Sequence, residues 1–232
     1  MTVTKSGPFG DVGALPEVTG GSIPAHIHEL LEEAIITGVL APGTRMRADL
    51  LAAEYGVSRI PVREALRSLH EAGWVDIRPR YGVYVRDRSV QELRELVATR
   101  AVIEASIAGW TAQRRSTEDL NRLRELTHSG QRADGCTDPR RLSRLVSAYW
   151  AVLREAAGNQ VMAAVSVDLE KRTRFYLSAV PTGVGGHWPS ALDRLTAFLD
   201  RGDVDAAATE ARGYVTETGA TVGRLLTARD RS

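Results

Sequence analysis

Three arginines recur at every fourth residue in one short stretch of the chain: Arg59, Arg63 and Arg67. If this stretch is helical, the three side chains share one face of the helix. A guanidinium group presents a planar fork of donors, which matches the O6 and N7 acceptors of guanine in the major groove of DNA. The alternative is a solvated helix face on which these arginines pair with Glu64 and Glu71. The spacing therefore allows either DNA recognition or ordinary surface ion pairs.

The residues around these arginines indicate how a helix would position them. An apolar stripe on the opposite side would anchor the helix to a core: Val62, Ala65, Leu66 and Leu69. Ser58 is a typical N-cap residue, and we expect it to bind phosphate at the helix N-terminus, while Ile60 suits a thymine methyl group. A second short helix fits residues 48–55 and ends at Gly56; Arg47, directly before it, is a further candidate for DNA binding. Two short helices joined by a tight turn predict a helix-turn-helix.

The spacing of the apolar residues changes from a helical period to an alternating one after Gly73. Two short strands, 74–77 and 83–85, flank a turn rich in basic residues, and this pattern is typical of a β-hairpin. We expect the tip to reach the DNA backbone or the minor groove through Arg78, Arg80, Tyr81 and Gly82. The alternative is an ordinary hairpin whose charges only keep the protein in solution.

Three runs in this part of the chain resemble the GntR family of bacterial regulators: residues 56–66, 71–75 and 80–85. The resemblance implies a winged helix-turn-helix that binds double-stranded DNA. It also implies that Arg59 and Arg63 supply the base and phosphate contacts.

The resemblance extends over about residues 22–87, with two departures. Ile60 stands where a threonine is usual in the family, and Asp49 stands where some members place an arginine against DNA. The segment before this region, residues 1–21, is rich in glycine and poor in apolar residues, so we expect a flexible arm.

The second part of the chain, residues 88–228, carries no strand signal and is predicted to be helical throughout. The expected fold class is mainly α, with a winged helix-turn-helix that has a small β-hairpin wing, followed by an all-α bundle of about six helices. Amphipathic segments separated by turn residues mark these helices at 90–113, 117–131, 138–157, 160–180, 188–200 and 204–227.

Three further runs resemble the FadR-like branch of the same family, with its helical FCD domain: residues 95–104, 155–159 and 201–207. The resemblance implies dimerisation and the binding of a small effector. In many members an aspartate and three histidines hold a divalent metal, but the matching positions here are Val146, Trp150, Leu192 and Tyr214. Because these side chains offer almost no metal donors, we expect neither a metal nor another cofactor.

The remaining candidates for an effector pocket in this helical part are cationic and aromatic. They are Arg100, Arg172, Arg174, Tyr149, Trp150 and Tyr214, with Val146 and Leu192 as neighbours. A buried arginine keeps its charge, so it must be paired or it favours an anionic ligand with an apolar body. The alternative is that Tyr149 and Trp150 simply continue the apolar stripe of their helix and belong to the core.

Composition narrows the classes of function that remain. The chain has 232 residues with 43% hydrophobic and 25% charged, and its net charge of +1 does not by itself indicate nucleic-acid binding. The single cysteine, Cys136, excludes an intramolecular disulfide, and no apolar run is long enough for a membrane span, so we expect a cytoplasmic protein.

We therefore expect a transcriptional repressor that binds a pseudo-palindromic operator as a homodimer and responds to a small-molecule effector. One alternative is a constitutive dimeric regulator without an effector. An enzyme is the remote alternative, because the glycine-rich run 183–186 follows no predicted strand and no catalytic arrangement accompanies it.

Overall fold

The computed structural model describes residues 22–131, 139–180 and 188–229. The predicted N-terminal arm, Cys136 and the glycine-rich run 183–186 lie outside the described residues. Backbone contacts divide the chain into two compact units, and the division falls between Arg88 and Ser89.

The N-terminal unit is a winged helix-turn-helix, as the sequence predicted. Its three strands form one antiparallel sheet, in which β3 (Gly82–Val85) lies between β1 (Arg45–Met46) and β2 (Val75–Arg78). The apolar stripes of the helices meet in a core that includes Ile27, Leu31, Leu51, Val62 and Leu69. The elements are α1 (Ile23–Ile36), β1 (Arg45–Met46), α2 (Ala48–Tyr55), α3 (Arg59–Glu71), β2 (Val75–Arg78) and β3 (Gly82–Val85).

The turn between α2 and α3 depends on Gly56. Its φ of 65° lies in the left-handed region, which a residue without Cβ adopts readily. The backbone N–H of Val57 then donates to the carbonyl of Ala52, 3.0 Å away, and this closes the end of α2. The sharp reversal allows α3 to pack beside α2.

Strand β1 and the position of Trp74 in this unit differ from what the sequence predicted. In β1, Arg45 lies opposite Tyr84 and Met46 lies opposite Val83, so the expected hairpin becomes a three-stranded sheet. Trp74 precedes β2 instead of opening it, and its indole N–H donates to Glu32 of α1 at 2.9 Å. This hydrogen bond ties the base of the wing to α1.

The C-terminal unit consists of six helices within the described residues, which confirms the predicted bundle. The helices are α4 (Val90–Arg114), α5 (Thr117–Gln131), α6 (Pro139–Ala157), α7 (Gln160–Leu177), α8 (Trp188–Arg201) and α9 (Val204–Arg229). Helix α4 is central and packs against α6, α7, α8 and α9. No helix in the described ranges is both long and apolar enough to cross a membrane.

Helices α4 and α9 approach each other closely at a glycine. A Cβ built on Gly219 of α9 would overlap the side chain of Val97 on α4, so only glycine fits at this position without movement. Elsewhere along the contact, Gly109 of α4 lies against Val204 of α9. These glycines allow the two longest helices to pack closely against each other.

Candidate nucleic-acid interface and core polar cluster

The arginines of α3 lie on its exposed face. The predicted stripe of Val62, Ala65, Leu66 and Leu69 is buried against the core of the unit. Arg59, Arg63 and Arg67 point away from it and are exposed, and Ile60 beside them is 70% exposed. Because α3 begins at Arg59, these residues come from the first turns of the helix.

Surface ion pairing accounts for only one of the three arginines. The Nε atom of Arg67 lies 3.4 Å from Glu71, and both side chains are well exposed. Within the part of the chain that the structure describes, Arg59 and Arg63 have no ion pair or hydrogen bond through their side chains. Two guanidinium forks on this helix are therefore available for an external partner.

Ser58 occupies the N-cap position of α3, as predicted, but its hydroxyl makes no capping hydrogen bond. The first N–H groups of a helix lack partners within the helix and carry the positive end of its dipole. An exposed Ser58 next to these groups leaves the N-terminus of α3 open to an anion.

The wing presents a second exposed basic surface. Arg78, Arg80 and Tyr81 are all exposed at its tip, and Tyr81 is 70% exposed. The turn is closed by a 3.0 Å hydrogen bond from the N–H of Tyr81 to the carbonyl of Arg78. Arg80 has a φ of 66°, which is unusual for a residue other than glycine, and Gly82 follows with a φ of 116°.

Arg45 is a residue of this surface that sequence reasoning missed. Its guanidinium carbon lies 6.0 Å from the ring centre of Tyr84, and that of Arg78 lies 4.6 Å from the same centre. Gly82 makes room for it, since a Cβ there would come within 3.3 Å of the Arg45 Nε atom. A two-residue strand leaves no periodic signal, so only the basic character of residues 45–47 could have pointed to it.

Arg47, a predicted DNA contact, is engaged within the protein. Its Nε and Nη2 atoms donate to the two carboxylate oxygens of Asp49 at 3.2 and 2.6 Å. The pair is partly exposed, at 52% for the arginine side chain and 39% for the aspartate. Unlike Arg59 and Arg63, Arg47 already has an anionic partner.

The C-terminal unit contains a buried network that we call the core polar cluster: Arg100, Glu104, Arg154, Ser166 and Glu170. Arg100 donates to Glu104 at 3.1 Å, and the Ser166 hydroxyl donates to the same carboxylate oxygen at 2.9 Å. Arg154 donates to Glu170 at 2.7 Å and to Ser166 at 3.3 Å. Two cations and two carboxylates thus compensate each other.

This pairing changes the expectation for Arg100. The sequence predicted that a buried arginine is either paired or favours an anionic ligand, and Arg100 is only 5% exposed. Glu104, which is fully buried, neutralises it through a salt bridge. Arg100 therefore does not require an anionic ligand.

The predicted aromatic residues lie beside the core polar cluster. The guanidinium carbon of Arg100 is 5.7 Å from the ring centre of Trp150, and the rings of Trp150 and Tyr214 are 5.9 Å apart. Burial raises the pKa of Tyr214 to about 12, so its phenol stays protonated. Tyr149 packs as a core residue, because its buried hydroxyl is satisfied by the carbonyl of Leu192 and by Thr196.

Two polar atoms next to the cluster are buried without a partner among the described residues. One is Nε1 of Trp150, a donor, and the other is Oε2 of Glu104. Burial raises the pKa of Glu104, although its contacts with Arg100 and Ser166 act in the opposite direction. A buried polar atom without a hydrogen bond is costly, so this is where a small polar ligand would gain most.

The four positions matched to metal ligands belong to one region of the core. Trp150 and Leu192 are fully buried members of a single hydrophobic cluster, and Val146 and Tyr214 pack against it. In the described ranges there is no group of three or more histidine, cysteine, aspartate or glutamate side chains that could hold a metal ion. The side chains present do not fit a metal at this place.

The structure does not bring Arg172 to the core polar cluster. Arg172 pairs with Asp168, one turn earlier on α7, at 2.9 Å. Arg174 is partly buried near the end of the same helix.

Sequence reasoning missed the functional candidates Arg154, Ser166 and Glu170. The available signal was the spacing of four residues between Ser166 and Glu170.

Comparisons with known proteins find a matching family for each of the two units. A model of the bacterial regulatory proteins of the gntR family matches residues 24–85, and a model of the FCD domain matches residues 95–217. The chain is 32% identical over 102 residues to the HTH-type transcriptional repressor RspR of Escherichia coli (strain K12). That alignment covers 44% of this chain and 45% of RspR, so the chain spans less than half the length of this curated relative.

Two solved structures share the fold. E. coli McbR/YncC superposes with a TM-score of 0.76 at 20% identity, over 88% of this chain and 98% of that one. A transcriptional regulator GntR from Rhodococcus sp. RHA1 gives a TM-score of 0.74 at 21% identity, over 87% and 98% of the two chains. With the FCD match alone spanning more than half of its residues, the chain belongs to the GntR family of bacterial transcriptional regulators, with a DNA-binding domain followed by an FCD domain.

Proposed function

We propose that this regulator is a homodimeric repressor that binds a pseudo-palindromic operator in the bacterial cytoplasm. The observation that carries the proposal is that Arg59 and Arg63, on the exposed face of α3, have no side-chain partner among the described residues. In a helix-turn-helix the second helix enters the major groove, and its N-terminal residues contact the base edges.

In the proposed complex, each part of the basic surface has a separate role. Arg59 and Arg63 read base edges, with Ile60 against a thymine methyl group. Ser58 and the N-terminus of α3 hold a phosphate. The wing contacts the backbone or the minor groove through Arg78, Arg80, Tyr81 and Gly82, with Arg45 beside them, while Arg67 lies at the edge of the surface.

The homodimer is proposed because one short helix reads too few base pairs for useful specificity, whereas two copies read two half-sites one helical turn apart. We propose domains at residues 22–87 and 88–228, the second of which supplies the dimer contact. Sedimentation equilibrium should give twice the chain mass for the free protein, and twice the chain mass plus the mass of one duplex for the complex with operator DNA. A strict monomer at micromolar concentration in both states would refute the homodimer.

The sign of regulation is proposed from the name of RspR, a transcriptional repressor. A protein that occupies an operator near a promoter blocks the polymerase. In a purified transcription reaction, adding the protein should lower the transcript from an operator-bearing template. An increase in that transcript would show activation instead.

We further propose that the C-terminal domain binds a small effector without a metal, beside the core polar cluster. Support comes from the Trp150 Nε1 and Glu104 Oε2 atoms, which have no hydrogen-bond partner within the described part of the chain, and from the charge balance of the surrounding ion pairs. Arg100, Trp150 and Tyr214 are the proposed contacts, with Val146, Tyr149 and Leu192 behind them. Arg172 and Arg174 have no role in this proposal.

Two measurements test the effector proposal. A ligand that binds the native state raises the melting temperature by mass action, and Trp150→Phe should abolish that rise, because it removes the indole N–H. Elemental analysis of protein purified without chelators should find no stoichiometric transition metal. A tightly held metal equivalent, or a ligand whose effect survives Trp150→Phe unchanged, would overturn this assignment.

A further inference from the structure

The ion pair between Arg47 and Asp49 lies on the same basic surface as the wing. Arg45 and Arg47 are both exposed and flank the buried Met46, so they lie on the same side of the chain where β1 leads into α2. Arg45 already reaches the ring of Tyr84. Arg47 would extend this row of cations, but its guanidinium fork is occupied by Asp49.

Asp49 also lies where helix geometry favours an anion. It is the acidic residue in the first turn of α2, which begins at Ala48 and whose N-cap Arg47 makes no side-chain capping bond. Free N–H groups and the positive end of the helix dipole face this turn. The hydrogen bond from Arg47 holds the pKa of this carboxyl below its usual range.

The Arg47 guanidinium and the N-terminus of α2 are also the groups that a DNA phosphate would bind. In a helix-turn-helix the first helix crosses the DNA backbone, where a helix N-terminus and an arginine are typical phosphate ligands. From this geometry we infer that Asp49 acts as an internal phosphate mimic: it pairs with Arg47, places its negative charge in the first turn of α2, and so weakens sequence-independent binding of the DNA backbone. Specificity rises as a result, because the contacts of α3 then contribute a larger share of the affinity.

This inference rests on the proposed function, and a salt titration distinguishes the two. The full-length protein and its Asp49→Asn variant are titrated with a random-sequence duplex of about three helical turns. Glu54→Gln is the matched control, since it removes one negative charge from the exposed last turn of the same helix. Arg47→Ala and the Arg47→Ala/Asp49→Asn double variant complete the cycle.

Asp49→Asn should bind the random duplex more tightly than wild type, because it frees Arg47 for one phosphate. Its slope of log affinity against log salt should steepen by about 0.9, so its advantage should fall about threefold between about 50 and about 200 mM salt. Glu54→Gln and Arg47→Ala should keep the wild-type slope. The double variant should return to it.

Two results would overturn the inference while leaving the proposed function intact. One is an Asp49→Asn variant with the wild-type slope and affinity. The other is weaker binding by that variant, which would make Asp49 itself a DNA contact. A wild-type protein without affinity for any duplex would instead overturn the proposed function, and this inference with it.

Discussion

The left-handed conformation of Arg80 allows a test in which stability and DNA affinity move in opposite directions. Its φ of 66° is typical of glycine, yet the residue is an exposed arginine at the tip of the wing. A side chain in this region costs about 1–2 kcal/mol. The Arg80→Gly variant removes that cost, but the greater conformational freedom of glycine in the unfolded chain lowers the free energy of unfolding by about 0.5–1 kcal/mol.

The net expectation for Arg80→Gly is a free energy of unfolding that is higher by about 0.5–1 kcal/mol. The same variant should lose one phosphate contact, so the salt slope of DNA binding should become shallower by about 0.9 on all sequences alike. Urea unfolding followed by circular dichroism measures the first effect, and fluorescence anisotropy at several salt concentrations measures the second.

Arg80→Lys is the matched control for this experiment. It retains both the positive charge and the Cβ, so neither the unfolding free energy nor the salt slope should change by much. A lower stability of the Arg80→Gly variant would contradict this expectation, because the backbone would then not be strained. An unchanged salt slope would also contradict it, because the guanidinium would then not reach DNA.

Three further substitutions test other parts of the structure. Arg63→Ala should weaken operator binding by about 1–3 kcal/mol and relax the preference at one base pair, and equal losses on operator and random DNA would argue against a base contact. Arg100→Met should lower the unfolding free energy by about 3–5 kcal/mol because it leaves Glu104 buried without a cation, and Arg100→Met/Glu104→Leu should recover most of this loss. A double variant no more stable than Arg100→Met would show that the unpaired Glu104 was not the cause of the lower stability. Gly219→Ala should lower the unfolding free energy by about 1–3 kcal/mol through overlap with Val97, and adding Val97→Ala should restore it. An unchanged stability of Gly219→Ala would show that the two helices can move apart without cost.

Long periodic elements were the part of the fold that the sequence predicted well. The stripe on α3 fixed both the helix and its exposed face, because apolar residues at spacings of three and four can be buried on only one side. The helices of the C-terminal unit were predicted to within three residues at each end. The largest difference is at α7, which ends at Leu177, since Ser178, Ala179 and Val180 form turns.

The sequence did not predict the contacts between elements. Strand β1 has two residues, too few for an alternating pattern, so neither it nor Arg45 was found. Arg100 and Glu104 are four residues apart on α4, but nothing local shows that both are buried and joined to Ser166 of α7. The partner of Arg47 was likewise missed, because a pair two residues apart forms only when the chain bends into α2.

The same difference, between local periodic patterns and contacts between elements, explains which candidate site residues the sequence predicted. Exposure follows from periodicity, so the free arginines of α3 could be predicted from their positions relative to the apolar stripe. Pairing in the core depends on which helices meet, so Arg172 and Arg100 looked equivalent in the sequence although only Arg100 lies in the core polar cluster.

Selection from a pool of random duplexes tests whether Arg59 and Arg63 of α3 read the operator. Full-length wild-type protein should enrich a pseudo-palindromic sequence with two half-sites about one helical turn apart. The Arg59→Ala/Arg63→Ala variant, confirmed as folded by circular dichroism, should enrich no sequence under the same conditions. Enrichment of the same sequence by that variant, with unchanged affinity, would contradict the claim.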